Sequence, residues 1–309
     1  MELIIERIGE LRAHLDAARA EGRTVGFVPT MGAFHEGHVS LMRAARANHD
    51  VVVVSLFVNP LQFGPTEDLA RYPRDLDGDV AVAAAAGVDI VFAPPVEEMY
   101  PGFPAPPLTT VSVAGLTEGL CGSARPGHFD GVATVVTKLF GIVGPSTAYF
   151  GQKDAQQLAV VRRLVADLCL PVEIVGCPLV REPDGLALSS RNRNLSPVER
   201  EAATVLHRGL KAGADLVVEG ERDAGRLRRV VANVLTTEEL VRLEYAEVVA
   251  AGTMAPLDVL DGDVLVAVAA RVGEVRLIDN MTIHVDSLGA VVDLGTTVAS
   301  AGEGLCAAR

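Results

Sequence analysis

The stretch Val51-Val52-Val53-Val54-Ser55-Leu56-Phe57-Val58 constrains the fold more than any other part of the chain. A run so continuously apolar and β-branched reads as a strand covered on both faces. Strands of that kind belong to parallel sheets, whose neighbours are joined by long, usually helical crossovers. Helical patterns do alternate with strand patterns here. Ile8 to Ala20 reads as a helix, Val25 to Val28 as a buried strand, and the pattern from Gly37 onward is helical, with Val39, Leu41 and Met42 on one face and Arg43 and Arg46 on another. An alanine-rich helix from Asp75 to Ala86 is stopped by Gly87, and Val88 to Phe92 reads as a strand. Pro94 to Gly127, rich in Pro and Gly, reads as mostly irregular, and loops of that length are usually lids or binding loops. Phe129 to Val143 (helix), Thr147 to Phe150 (strand), Ala155 to Leu168 (helix) and Val172 to Val175 (strand) complete the alternation. The expectation is α/β, with a doubly wound parallel sheet.

Past Arg181-Glu182-Pro183-Asp184-Gly185 the pattern changes. Ser196-Pro197-Val198-Glu199 is a capping box with Pro at the first helical position, and predicts a long helix to about Glu219. A second helix over about Arg222 to Leu235 precedes strands at Tyr245 to Val249, Val264 to Ala270 and Val275 to Val285. Helices followed by strands suggest a smaller α+β domain. The predicted division is therefore 1–183, 184–285 and a Gly- and Ala-rich segment 286–309, expected to be a flexible, loosely held tail. A length of 309 residues suits about two domains.

A formal net charge of -13 argues against a broad nucleic-acid footprint, which needs a basic patch or stripe. An anionic substrate therefore needs a locally basic site within an acidic protein. Cys121, Cys169, Cys177 and Cys306 show no C-x-x-C pair and no disulfide framework, which suits a reducing cytosol. The start of the chain is too charged for a signal peptide, and no run of about 18 apolar residues predicts a membrane span. The expected setting is cytoplasmic, with small-molecule partners and neither nucleic acid nor membrane.

Four constellations carry chemistry. His35-Glu36-Gly37-His38 lies where a strand hands over to a helix, which in an open α/β sheet is the ligand crevice. Unpaired N–H groups and the positive dipole end there suit phosphate, and the two histidines can donate to phosphoryl oxygens. Zinc is the alternative, although metalloprotease H-E-x-x-H spaces its histidines four apart on a formed helix; ordinary surface histidines beside a turn are another. Gly151-Gln152-Lys153-Asp154-Ala155-Gln156-Gln157 again follows a strand and opens a helix. Lys153 suits phosphate as a point charge, and Gln157 faces the same way; a capped helix with a solvated lysine reads equally well. Leu188-Ser189-Ser190-Arg191-Asn192 offers hydroxyls and a guanidinium fork for phosphate, or a polar interdomain turn. Asn59-Pro60 with Gln62 places amides at a strand end, suited to a polar small molecule or to a turn alone.

Taken together, P-T-M-G-A-F-H-E-G-H, F-V-N-P-L-Q-F, Y-P-R, G-H-F-D-G-V, F-G-Q-K-D-A-Q-Q-L and L-A-L-S-S-R-N resemble the pantothenate synthetase family in order and spacing, from about residue 3 to 285. H-x-G-H alone marks the wider nucleotidylyltransferase superfamily. The resemblance implies ATP-dependent condensation of (R)-pantoate with β-alanine to pantothenate, AMP and pyrophosphate. It also implies a Rossmann-like first domain, a C-terminal lid domain and a homodimer. By the same resemblance, Met31, Gly32, Ala33, Phe34, His35, Glu36, Gly37 and His38 form a first ATP segment, with His38 in the proton-donor position. Gly151, Gln152, Lys153 and Asp154 form a second ATP segment. Val180 contacts adenine through its backbone, and Leu188, Ser189, Ser190 and Arg191 lie on the phosphate side, with Leu188 where Met is common. Catalysis is expected of His35, His38, Lys153 and Arg191. Gln62 and Gln157 are expected to hold pantoate, Gln62 later β-alanine, with Asn59 and His128 as further substrate-binding residues and Arg125 near the site. Some members carry adjacent acidic residues after Y-P-R linked to magnesium; here the stretch is Asp77-Gly78-Asp79, and only Asp79 aligns as a metal ligand. Mg²⁺ is expected to ride mainly on the phosphates. A nucleotidylyltransferase that stops at nucleotide transfer, and a non-catalytic nucleotide-binding module, are the rival readings.

Overall fold

The computed structural model describes residues 3–64 and 69–298. The first half alternates strand and helix: β1 (Leu3–Ile5), α1 (Ile8–Ala20), β2 (Val25–Thr30), α2 (Glu36–Asn48), β3 (Val51–Leu56), α3 (Leu76–Ala85), β4 (Ile90–Phe92), the short α4 (Val96–Met99) and α5 (Leu120–Ala124), α6 (His128–Val143), β5 (Ser146–Gly151), α7 (Ala155–Asp167) and β6 (Val172–Cys177). The six strands pair in parallel in the order β1-β4-β3-β2-β5-β6. Val51, Val52, Val53 and Val54 are all buried, because helices cover both faces of the sheet. Val51 and Val53 join the core under α1 and α6, whereas Val52 and Val54 join the core under α2. The strand order runs outward from β2 through β3 and β4, then returns to the other side of β2 for β5. That reversal opens a crevice beyond the carboxyl ends of β2 and β5.

The second half begins with β7 (Val180–Arg181) and continues through α8 (Pro197–Ala202), α9 (Val205–Val218), α10 (Ala224–Leu235), β8 (Val241–Ala250), β9 (Gly262–Val272), β10 (Val275–Asp286), β11 (Gly289–Asp293) and β12 (Thr296–Thr297). Strands β8 to β11 form an antiparallel sheet in the order β11-β10-β9-β8, and α9 and α10 bury Leu206, Leu210, Leu227, Val231 and Leu235 against it. The doubly wound parallel sheet and the separate antiparallel C-terminal unit agree with the expected fold class. The Ser196 capping box forms with both of its hydrogen bonds, but the long helix expected behind it is interrupted. It divides into α8 and α9 at Ala203 and Thr204, which keep right-handed backbone angles.

Two readings are corrected. The loosely held tail expected over 286–309 is ordered through residue 298. There, β11 closes a hairpin on β10, and β12 pairs in parallel with β7. Short polar strands with little periodicity give a weak sequence signal. Residues 299–309 lie outside the described part. Cys121 and Cys169 are free thiols, whereas Cys177 is disulfide-bonded, which the cysteine spacing did not signal.

Candidate active site

The loop after β2 is built around a buried carboxylate. Asp79, on α3, accepts hydrogen bonds from the backbone N–H groups of Ala33 (2.8 Å) and Phe34 (2.7 Å). Gly32 has φ +86°, a conformation L side chains rarely adopt, and a Cβ there would lie 2.7 Å from an Asp79 carboxylate oxygen. Ala33 follows with φ 56°. A left-handed backbone is free for Gly32 but costly for Ala33, and persists there only where neighbours hold it; Asp79 supplies that hold. Asp79 was expected as a metal ligand; the structure shows it as a brace for the loop. Each of its oxygens serves the loop, and it does not line the cleft.

The loop delivers His35 to the N-cap of α2, where its Nδ1 accepts from the N–H of Gly37 at 3.2 Å. The proton of the neutral ring therefore sits on Nε2. His38 lies one turn on, its ring centroid 4.2 Å from that of His35. Burial, followed by the charges of His38, Lys153 and Arg193, lowers His35 to about 2. Burial, followed by the charge of Lys153 and only partly opposed by Asp154, lowers His38 to about 4. Both rings are neutral near pH 7, so each can offer a neutral N–H donor rather than an imidazolium ion. The buried Nδ1 of His38 has no hydrogen-bond partner among the described residues.

The second segment leaves β5 at Gly151 and makes a single 3-10 turn, Gln152–Asp154, before α7. The Nζ of Lys153 lies 3.8 Å from an Asp154 carboxylate oxygen. The third segment is a 3-10 turn over Ser190–Asn194, capped by the Ser189 hydroxyl, which accepts from the N–H of Arg191 at 3.3 Å. Arg193 donates from this turn to the carbonyl of Phe34 at 3.2 Å, joining the third segment to the first.

The amides after β3 form a separate, dense network. Asn59 is 1% exposed and fully committed. Its Nδ2 donates to Gln62 Oε1 (3.1 Å) and to the Gly131 carbonyl (3.0 Å), while its Oδ1 accepts from the N–H of Leu61 (3.3 Å) and the Tyr100 hydroxyl (2.9 Å). Asn59 thus orients Gln62. Gln62 keeps Nε2 on the Met31 sulfur at 3.0 Å, a weak acceptor that a substrate oxygen would outcompete. His128 donates from Nδ1 to the Gln62 carbonyl (2.9 Å) and accepts at Nε2 from Arg125 (3.0 Å). The close approach of α6 depends on Gly131, where a Cβ would fall 2.3 Å from the carbonyl oxygen of Leu61.

One cleft gathers most of these groups, with about 1410 Å³ of empty space including its open mouth. Its walls include Met31, His35, Gly37 and His38 from the first segment and Gly151, Lys153 and Asp154 from the second. They also include Val180, Leu188, Ser189, Ser190 and Arg191, together with Asn59, Gln62, Gln157, Arg125 and His128. Gly32, Ala33, Phe34, Glu36 and Gln152 do not line it; Glu36 turns outward toward Arg43, 3.5 Å away. Phe57, Val132, Val135, Val136 and Leu139 form an apolar wall beside the amides. Tyr100 and Arg193 were not picked out from the sequence, and Gly131 only as part of the G-H-F-D-G-V stretch; each acts through a partner distant in the chain.

The pantoate–β-alanine ligase family model matches residues 3–282. The pantothenate synthetase of Heliobacterium modesticaldum is 56% identical over 283 residues, covering 91% of this chain and 99% of the relative. That of Moorella thermoacetica is 55% identical over 286 residues, covering 93% of this chain and 100% of the relative. The crystal structure of pantothenate synthetase from Thermus thermophilus is 50% identical and superposes with a TM-score of 0.84, covering 90% of this chain and 98% of that one. A pantoate–β-alanine ligase from Francisella tularensis, complexed with β,γ-ATP and β-alanine, is 32% identical, with a TM-score of 0.73 and coverage of 91% and 97%.

Proposed function

The chain belongs to the pantoate–β-alanine ligase family, and from that premise we propose how its cleft divides the work. It is an ATP-dependent ligase that forms a C–N bond, condensing (R)-pantoate with β-alanine to pantothenate with release of AMP and pyrophosphate. The carrying observation is the mixed lining of one cleft: basic and N–H donor groups (His35, His38, Lys153, Arg191) from the segments after β2, β5 and β7, together with neutral amides (Gln62, Gln157) and apolar side chains. The first set suits a triphosphate, with the Val180 backbone at the adenine. The second suits a small hydroxy acid with an aliphatic body.

On this reading, a carboxylate oxygen of pantoate, held by Gln62 and Gln157, attacks the α-phosphorus of ATP. The bond to pyrophosphate breaks as the new P–O bond forms. His35 and His38, both neutral, donate to the phosphoryl oxygens as charge grows on them, with Lys153 and Arg191 adding fixed positive charge. The amine of β-alanine then attacks the acyl carbon of the pantoyl adenylate, AMP leaves, and the nitrogen loses its proton. The C-terminal unit acts as a lid that keeps water from the mixed anhydride. We propose the domain division at 183/184, supported by the packing of Leu186 in the C-terminal core. Among the described residues, Asp154 is the one carboxylate that lines the cleft, and no cluster of three metal-ligating side chains exists. That donor set fits a Mg²⁺ held mainly by nucleotide phosphates with Asp154 nearby. The ion when bound would supply charge neutralisation on the phosphates.

A cytoplasmic homodimer is inferred from the family resemblance; among the described residues no helix is long and apolar enough to cross a membrane. Sedimentation as a monomer at micromolar concentration would reject the dimer. The function itself is tested by measuring AMP release with ATP, Mg²⁺, pantoate and β-alanine, omitting each in turn. AMP formation should need all four. A stable nucleotide conjugate released in place of AMP would favour a nucleotidylyltransferase, and ATP binding without turnover a binding module.

A further inference from the structure

Asn280, on β10 of the C-terminal sheet, sends both of its amide N–H bonds across to the second nucleotide segment. Its Nδ2 lies 3.0 Å from the carbonyl of Gln152 and 2.8 Å from that of Lys153. Asn280 is 5% exposed. Its own position is fixed by Asp279, whose Oδ1 accepts the N–H of Asn280 at 2.7 Å. Asp279 in turn forms a buried, bidentate pair with Arg181, at 2.7 and 2.9 Å. Arg181 also donates to the carbonyls of Asn280 (3.2 Å), Gly185 (2.9 Å) and Leu294. Arg181 directly follows Val180, which lines the cleft. One dipeptide of the C-terminal sheet thus holds the lysine turn through Asn280 and the strand carrying Val180 through Asp279.

We propose that Asn280 is a positioning residue for Lys153, so that the phosphate-facing lysine is set in place by the C-terminal sheet rather than by its own loop. The physical ground is that a single 3-10 turn has few internal hydrogen bonds to hold it. Among the described residues, the Lys153 side chain is steadied only by Asp154, at 3.8 Å. Two donors from a buried, doubly anchored amide fix the backbone from which the lysine extends. An aim error of about 1 Å at a catalytic group can cost on the order of a hundredfold in rate.

The inference rests on the role given to Lys153 above, and the experiment separates the two. Pyrophosphate exchange into ATP is measured with pantoate present for wild type, Asn280→Ala, Lys153→Ala and the double variant. Dissociation constants for a non-hydrolysable ATP analogue are measured in parallel. Asn280→Ala should slow exchange at saturating ATP at least about tenfold while weakening analogue binding less than about threefold. In the Lys153→Ala background, the Asn280 substitution should cost less than about twofold, because its effect passes through the missing side chain. Asn280→Asp preserves shape but replaces the donors by acceptors facing two carbonyls. It should be as impaired as Asn280→Ala, and it supplies the cycle if the alanine variant does not fold. Multiplicative losses in the double variant, or an Asn280→Asp protein as fast as wild type, overturn the positioning role. A silent Lys153→Ala overturns the reading of the lysine itself.

Discussion

Asp79→Asn is the sharpest test of how the first nucleotide segment is held. The native carboxylate accepts two buried backbone N–H bonds at 2.8 and 2.7 Å. Hydrogen bonds to a charged group contribute about 1.5–3 kcal/mol each, and a buried donor left without a partner costs about 1–3 kcal/mol. Asparagine keeps one acceptor oxygen but turns its NH₂ toward the other N–H, so one bond is lost and one donor stranded. The expected loss is about 2–4 kcal/mol, and Asp79→Ala should lose more. Because the chain has no Trp, urea unfolding is best followed by circular dichroism, and the midpoint should fall by about 1 M. The left-handed pair Gly32 and Ala33 then loses its brace, and His35 with it. Turnover should drop at least about tenfold, and by the same factor at low and high Mg²⁺. Unchanged stability, or activity restored by excess Mg²⁺, would refute the brace and return Asp79 to the role of metal ligand.

The other outcomes follow from the same geometry. His38→Ala should lower kcat by roughly a hundredfold or more with folding intact, since it removes a donor needed most in the transition state; an unchanged kcat in a folded variant would remove His38 from the mechanism. Gln62→Ala should raise the pantoate KM strongly and leave ATP binding nearly intact, whereas equal weakening of both would point to a structural role in the turn. In the nucleotide-free protein the ring proton signals of His35 and His38 should stay flat from pH 8 to about 5, since burial holds both rings below the ordinary value of 6.5. The unfolded chain binds those protons below its own pKa and the folded chain does not. Stability should therefore be full above about pH 6.5 and fall below it by up to about 1.4 kcal/mol per pH unit for each ring. A titration midpoint near 6.5 for either ring would contradict this.

The parallel sheet was legible in the sequence because a strand covered on both faces cannot hide its composition: Val51 to Val54 are buried without interruption, and α1 and α2 each carry an apolar stripe. The polar cleft residues His35 and Lys153 were legible because they sit just past strand ends, where the fold class itself puts ligands. What escaped was the support behind them. Asn59 has the same residue type as a substrate ligand, and its saturation by Gly131 and Tyr100 depends on α6 and the segment after α4 arriving from far along the chain. Asp79 aligned as a metal ligand, yet its work is set by a backbone turn 46 residues away. Asn280 lies in a strand whose apolar pattern says nothing of a contact across to Lys153, 127 residues earlier. The interruption between α8 and α9 is similarly silent, since helical periodicity runs through it.

On the proposed mechanism, the cleft activates pantoate as an acyl adenylate before any amine is needed. Within the cleft the groups placed to act are phosphate-side donors and amides, with no cysteine among the lining residues and Ser189 committed to capping its own turn. An activated nucleophile needs a paired base, which Ser189 and Ser190 do not show. Exchange of labelled pyrophosphate into ATP, measured with pantoate present and β-alanine absent, addresses this directly. Exchange is expected under those conditions, together with its loss when pantoate is omitted and its suppression alongside overall synthesis by Lys153→Ala. Exchange that occurs only when β-alanine is added, or that proceeds without pantoate, would contradict the adenylate route.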